Sequence, residues 1–146
     1  MSEIFLNQSN SEVKEVSLVE QLTLDVAGLL YPSESDERLK IIDWQADHPA
    51  PFDIILFKKY IGVPPKQFVE VLPYEKFFEI VLTPKEWWTD YEKQRYEKFL
   101  CLKEIIEKNL TDLTYFRAGR NEIEAYLLGK DKDGKWKGLK TIIIET

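Results

Sequence analysis

The sequence predicts an α+β domain: a mixed β-sheet covered by helices on both faces, a three-layer α/β/α sandwich. Three observations carry that expectation. Apolar residues recur at helical spacing early in the chain and again over a long stretch before residue 110. Three β-type runs close the chain, the last two joined by a tight Gly-containing turn. The order is helix, strand, helix, strand, helices and then three strands, and the natural packing for that order places a sheet between helices. The chain has 146 residues, the size of about one domain. A hydrophobic content of 44% is enough for a core. Nineteen aromatic residues, four of them Trp, argue against disorder, because disordered chains lack the apolar area that offsets ordering entropy.

Residues 1–16 are polar with short apolar runs and read as a flexible N-terminal arm; residues 17–146 read as a single domain. Ser17 and Glu20 have capping-box spacing. Val19, Leu22, Val26, Leu29 and Leu30 follow at helical spacing, and Pro32 is expected to end that helix. Ser33-Glu34-Ser35-Asp36-Glu37 is an acidic turn. Residues 38–46 read as a strand covered on both faces. His48-Pro49-Ala50-Pro51 is a break, residues 52–61 lean towards helix, and Gly62-Val63-Pro64-Pro65 is a loop. Phe68–Leu72 reads as a strand and 74–81 as a short helix.

Thr83-Pro84-Lys85-Glu86 combines a cap, a Pro at the first helical position and a Glu three after the cap. It predicts a helix reaching about Leu110, with Trp88, Tyr91, Arg95, Phe99, Leu102 and Ile106 along one stripe. Leu113–Ala118, Glu122–Lys130 and Trp136–Glu145 are the closing strands. Asp131-Lys132-Asp133-Gly134 is the hairpin turn between the last two.

The net charge of −6 disfavours nucleic-acid binding, since phosphates are met by Lys and Arg. The same charge suits a partner with a basic groove. The single cysteine, Cys101, allows neither an internal disulfide nor a Cys-based zinc site, and reads as a small hydrophobe in a packed helix. No apolar stretch approaches the roughly 20 residues that cross a bilayer. Met1–Asn10 lacks a secretory pattern, so a cytoplasmic location is expected.

The only histidine, His48, lacks the second His that zinc or triad arrangements need. No G-x-S-x-G, P-loop or dinucleotide fingerprint occurs. Asp131–Gly134 is not a calcium loop, because Ile142 stands where the twelfth-position Glu is required. Trp87 and Trp88 offer stacking surface for bases, but core packing on an amphipathic helix is the better account. These readings predict no catalytic residue and no cofactor. What is left is oxygen chemistry: the acidic turn, and the closing strand with Glu145 and Thr146. If a sheet holds that end, the carboxylates and hydroxyl form a cluster suited to Mg²⁺ or a basic groove.

Several stretches carry a resemblance to a known family. They are Gly28-Leu29-Leu30-Tyr31-Pro32-Ser33-Glu34-Ser35, Thr83-Pro84-Lys85-Glu86-Trp87, Lys98-Phe99 through Asn109-Leu110, and Phe116-Arg117-Ala118-Gly119. Gly134, Gly138, Thr141 and the closing Glu145-Thr146 complete the set. In order and spacing, from near Leu18 to Thr146, the chain resembles the nuclease A inhibitor family. The resemblance implies a sandwich of the pathogenesis-related-1-like type. It also implies a protein that blocks a Mg²⁺-dependent, sugar-non-specific DNA/RNA endonuclease with a ββα-metal active site. By the resemblance, Glu34 and Thr146 approach that active site, Thr146 beside the nuclease's own Mg²⁺. Ser33, Ser35 and Glu145 complete the expected partner-binding set. Arg120 departs from the family pattern, standing where an acid is expected. From the residues alone, a second reading stays open: an acidic interaction module, or a small ligand-binding domain near His48, with an unrelated target.

Overall fold

Ser17 opens the first helix, α1 (Leu18–Val26), in the expected way. Its hydroxyl accepts from the Glu20 N–H at 3.1 Å, and the Glu20 carboxylate accepts from the Ser17 N–H at 3.1 Å. These contacts belong to a computed structural model that describes residues 16–47 and 54–146. Nearly all of the expected N-terminal arm, together with His48-Pro49-Ala50-Pro51, lies outside the described residues.

α1 ends at Val26, earlier than the stop expected at Pro32. Gly28 adopts a φ of +75°, a conformation that ends a helix and suits a residue without Cβ. Leu29 and Tyr31, each 3% exposed, then turn into the core. Leu30–Tyr31 forms β1, which pairs antiparallel with β2 (Glu37–Arg38) and brackets the acidic turn. This two-stranded ribbon replaces the predicted end of the helix.

The remaining elements are β3 (Lys40–Asp47), α2 (Ile54–Ile61), β4 (Val69–Pro73), α3 (Glu75–Leu82), α4 (Asp90–Asn109), β5 (Thr111–Ala118), β6 (Glu122–Lys130) and β7 (Lys135–Ile144). Helix at 54–61 and at 75–82 agrees with the sequence reading, as do the three closing strands to within two residues at each end.

The main sheet runs β3-β7-β6-β5-β4, and every neighbouring pair is antiparallel. The expectation of a mixed sheet is therefore corrected. Short turns join β5, β6 and β7 into a meander, which can only be antiparallel. β3 and β4 add to opposite edges, each antiparallel to its single neighbour. Among the described residues the fold is α+β, with four helices, this five-stranded antiparallel sheet and the small ribbon.

Alternation along the strands divides the core in two. Tyr115, Ile123, Ala125, Leu127, Leu139 and Ile143 pack with Leu22, Phe77, Phe78, Phe99, Leu102 and Ile106 from α1, α3 and α4. Phe116, Tyr126, Leu128 and Trp136 belong to a second cluster built around Phe57 of α2. Phe57 stacks on Phe116 at 4.3 Å and meets Tyr126 edge-on at 5.3 Å. Residues at successive strand positions serve different clusters, so β6 is apolar and buried continuously from Ala125 to Gly129, as a strand packed on both sides must be.

The long helix starts later than predicted. The Thr83 hydroxyl donates back to the Glu79 carbonyl at 2.6 Å and finishes α3. Lys85–Trp88 forms a turn closed by Trp88 N–H to Lys85 O at 3.1 Å. A second Thr-x-x-Glu then opens α4: the Thr89 N–H and hydroxyl both donate to Glu92 Oε1, at 2.7 and 2.5 Å. These bonds hold the Glu92 carboxyl below its usual range. Starting there releases part of the expected stripe. Trp87 and Tyr91 are exposed, Trp88 rests half-buried near Tyr96 at 6.1 Å, and the buried line is Arg95, Phe99, Leu102 and Ile106. Core packing is thus corrected for Trp87. Cys101 is exposed as well, because it lies off that line and not among the core residues.

Candidate functional site

β7 ends between two partners. On one side β6 pairs with it as far as Glu122 opposite Ile144, and the Glu145 N–H extends the ladder to Asn121 O at 2.9 Å. On the other side the acidic turn takes the place of a strand. The Glu34 N–H donates to Ile144 O at 3.3 Å, and the Ile144 N–H donates to Ser33 Oγ at 3.1 Å. The free edge of the last strand is thereby satisfied by the turn, as buried backbone groups require.

This docking brings Glu34 and Thr146 together across 112 residues of chain. Glu34 Oε2 accepts from the Thr146 N–H at 2.9 Å, and Oε1 accepts from the Thr146 hydroxyl at 2.8 Å. Those two bonds, the backbone one first, hold the Glu34 carboxyl below its usual range. Both residues are exposed. A carboxylate that accepts two bonds on one side keeps lone pairs for a partner on the other.

Ser33 and Ser35 shape the turn. The Ser33 hydroxyl donates to Ser35 O at 2.7 Å and accepts from the N–H groups of Ile144 and Ser35. Three bonds fill the capacity of a hydroxyl. The Ser35 hydroxyl donates to the Glu37 carboxylate. Glu145 is exposed and faces Arg117, whose Nη2 donates to Glu145 Oε1 at 2.8 Å. All five residues singled out from the sequence therefore gather at one end of the sheet.

Beneath them lies an open groove of about 680 Å³, whose lining includes Tyr31, Glu34, Ile80, Tyr115, Arg117 and Glu145. Arg117 and the two tyrosines were not picked out from the sequence. A signal was present: Tyr115 and Arg117 are two apart on one strand, so an arginine shares a face with a core residue. The Arg117 side chain is 17% exposed, and its guanidinium also forms an ion pair with Glu70 Oε1 at 3.3 Å and donates to the Tyr115 hydroxyl at 3.2 Å. Burial works to lower its pKa, yet the bonds to Glu145 and Tyr115 prevail and raise it.

Arg120, the residue that departs from the family pattern, lies in the β5–β6 turn with its guanidinium 4.1 Å from the centre of the Phe68 ring. Gly119 sets that turn with a φ of +109°, and a Cβ there would meet Glu122 O at 2.6 Å. Among the described residues no group of three or more His, Cys, Asp or Glu is arranged to hold a metal ion, and no helix is long and apolar enough to cross a membrane.

The architecture and site define an α+β domain that presents an exposed carboxylate–hydroxyl pair at one end of an antiparallel sheet. The chain matches the family model for nuclease A inhibitor-like proteins over residues 16–146, nearly its whole length. It belongs to that family of inhibitors. No curated protein matches the chain.

Proposed function

We propose that this protein inhibits a Mg²⁺-dependent, sugar-non-specific DNA/RNA endonuclease of the ββα-metal type, and catalyses nothing itself. Membership of the inhibitor family supports a nuclease partner. The observation that carries the site is the direct pairing of Glu34 with Thr146, at 2.8 and 2.9 Å, on an exposed surface.

The chemistry follows from what such a nuclease holds. Its groove is basic, and its metal takes phosphate oxygens. Carboxylate and hydroxyl oxygens are hard donors of the kind Mg²⁺ accepts, so Glu34 and Thr146 fit the place of a phosphate while offering no scissile bond. Thr146 lies beside the nuclease's Mg²⁺, and Glu34 meets basic or metal-linked groups. Glu145 adds charge at the edge, and Ser33 and Ser35 contribute by holding the turn. The net charge of −6 favours encounter with a basic partner. A cytoplasmic location goes with this reading. So does a three-layer sandwich of the pathogenesis-related-1-like type, with α2 on one face of the sheet and α1, α3 and α4 on the other.

The test is digestion of plasmid DNA by such a nuclease in Mg²⁺, titrated with the intact chain and with a chain lacking Thr146. Inhibition by the intact chain, weakened by the deletion, is expected. Equal inhibition by both removes Thr146 from the site, and no inhibition at stoichiometric excess removes the proposed function.

A further inference from the structure

The two halves of the site come from opposite ends of the sequence, and each is anchored to the same buried side chains. Tyr31 directly precedes the Pro32–Ser35 turn. Its ring stacks on Phe77 at 4.7 Å, and its hydroxyl donates to Phe77 O at 2.6 Å. Tyr115 meets the same Phe77 ring edge-on at 5.4 Å, and its hydroxyl accepts from Arg117 Nη1 at 3.2 Å. Arg117 then reaches Glu145 at 2.8 Å, the residue before Thr146. A continuous chain, Tyr31–Phe77–Tyr115–Arg117–Glu145, thus links the root of the acidic turn to the root of the closing residue.

We propose that Arg117 is the positioning residue of this site, holding the Glu145–Thr146 segment in register with Glu34 so that the pair meets a partner already assembled. This deepens the inhibitor reading and rests on it for its functional half. Arg117 suits the task for three reasons. Its side chain is only 17% exposed, whereas its carboxylate partners Glu70 and Glu145 are 48% and 54% exposed. The arginine is therefore the more enclosed member of both pairs. Its planar fork carries separate N–H groups to β4, to β5 and to the segment after β7, a geometry that a lysine point charge does not reproduce. Finally, an arginine side chain this enclosed has little water to replace a lost carboxylate, so opening the bond to Glu145 costs more than it would at a fully exposed arginine.

The consequence is preorganisation. An end segment held only by the Asn121 and Glu34 contacts would sample several directions, and a partner would have to order it on binding. Ordering costs lower affinity without removing any contact.

The experiment uses the full chain carrying Arg117→Gln, with Glu145→Gln as a second variant at an exposed position that leaves the interior untouched. Amide hydrogen exchange is read at Thr146, Glu145 and Glu34, with Leu127 in the central strand as an internal reference. Both variants are expected to exchange about tenfold or more faster at Thr146, with Leu127 unchanged, because local opening is separable from global unfolding. Inhibition of the nuclease is expected to weaken about tenfold in Arg117→Gln, and in the exchange measurement combining it with Glu145→Gln is expected to add little, since both act on the segment through one bond. Arg117→Lys is expected to restore less than half of either effect.

Thr146 exchange unchanged in Glu145→Gln overturns the proposal, whether or not Arg117→Gln folds. Faster exchange with unaltered inhibition overturns it too, since the held geometry would then not matter to the partner. If the unsubstituted chain fails to inhibit, the inhibitor reading falls, and the exchange measurement still decides whether Arg117 holds the segment.

Discussion

Replacing Tyr31 with Phe tests how the acidic turn is anchored. The substitution removes one oxygen and leaves the ring, so the 4.7 Å stack on Phe77 and the edge contact with Phe99 at 6.1 Å remain. What is lost is a buried hydrogen bond of 2.6 Å to Phe77 O. Phe77 O, as a carbonyl in α3, keeps its helical partner, so the loss lies in the middle of the range for a buried hydrogen bond, about 1–2 kcal/mol. For a chain of this length that corresponds to a melting temperature lowered by about 3–6 °C. Urea denaturation should show a lower midpoint with unchanged slope.

The same hydroxyl gives a second, independent readout. Burial, followed by the neighbouring Tyr115, raises the Tyr31 pKa well above 10. The unfolded chain therefore releases this proton first, and the stability it represents is full below pH 10 and lost as pH rises through the folded value. Tyr31→Phe should flatten the fall in stability above pH 10. A midpoint and alkaline slope equal to those of the parent would refute the claim that this hydroxyl ties down the turn.

Other outcomes follow from particular contacts. Phe57→Ala should destabilise by about 3–5 kcal/mol, because Phe57 is fully buried and packs α2 against the rings of Phe116 and Tyr126; calorimetric melting checks this. Thr89→Ala should cost about 1 kcal/mol through loss of the α4 cap, and Thr83→Ala clearly less, in parallel urea titrations. The Glu34 carboxyl is held below its usual range by the Thr146 bonds. Its share of the turn's order is therefore present above the ordinary glutamate pKa and lost as pH falls through the lower, folded value. An NMR titration of the Thr146 amide should show one acid transition below the glutamate range, and a transition at the ordinary value would contradict the pairing.

Periodicity read the sheet well where both neighbours lay close in sequence. β5, β6 and β7 form a meander, and their alternation is local information. It failed where competing local signals were similar. Two Thr-x-x-Glu pairs stand six residues apart, and the first Thr is taken up in closing α3 by its bond to Glu79 O, which leaves the second to open α4. The end of α1 was misplaced for a related reason: Leu29 and Leu30 fit helical spacing, but Gly28 turns them into the core and the ribbon. Strand direction was illegible, because β3 and β4 pair with strands distant in sequence. The acidic turn and the closing Thr could be singled out from composition and family resemblance. Their bonding to each other could not, and neither could Arg117, whose importance comes from β4, β5 and the segment after β7 meeting at one guanidinium.

The central claim is that the Glu34–Thr146 pair engages a nuclease active site. The most direct measurement is calorimetric titration of a ββα-metal, sugar-non-specific nuclease in Mg²⁺ with the intact chain and with Glu34→Ala. The account predicts saturation at one inhibitor per nuclease, with affinity at least about tenfold weaker for Glu34→Ala, as expected for a central charged contact. Equal affinity for the two chains would contradict the site, and the absence of any saturable binding would contradict the function.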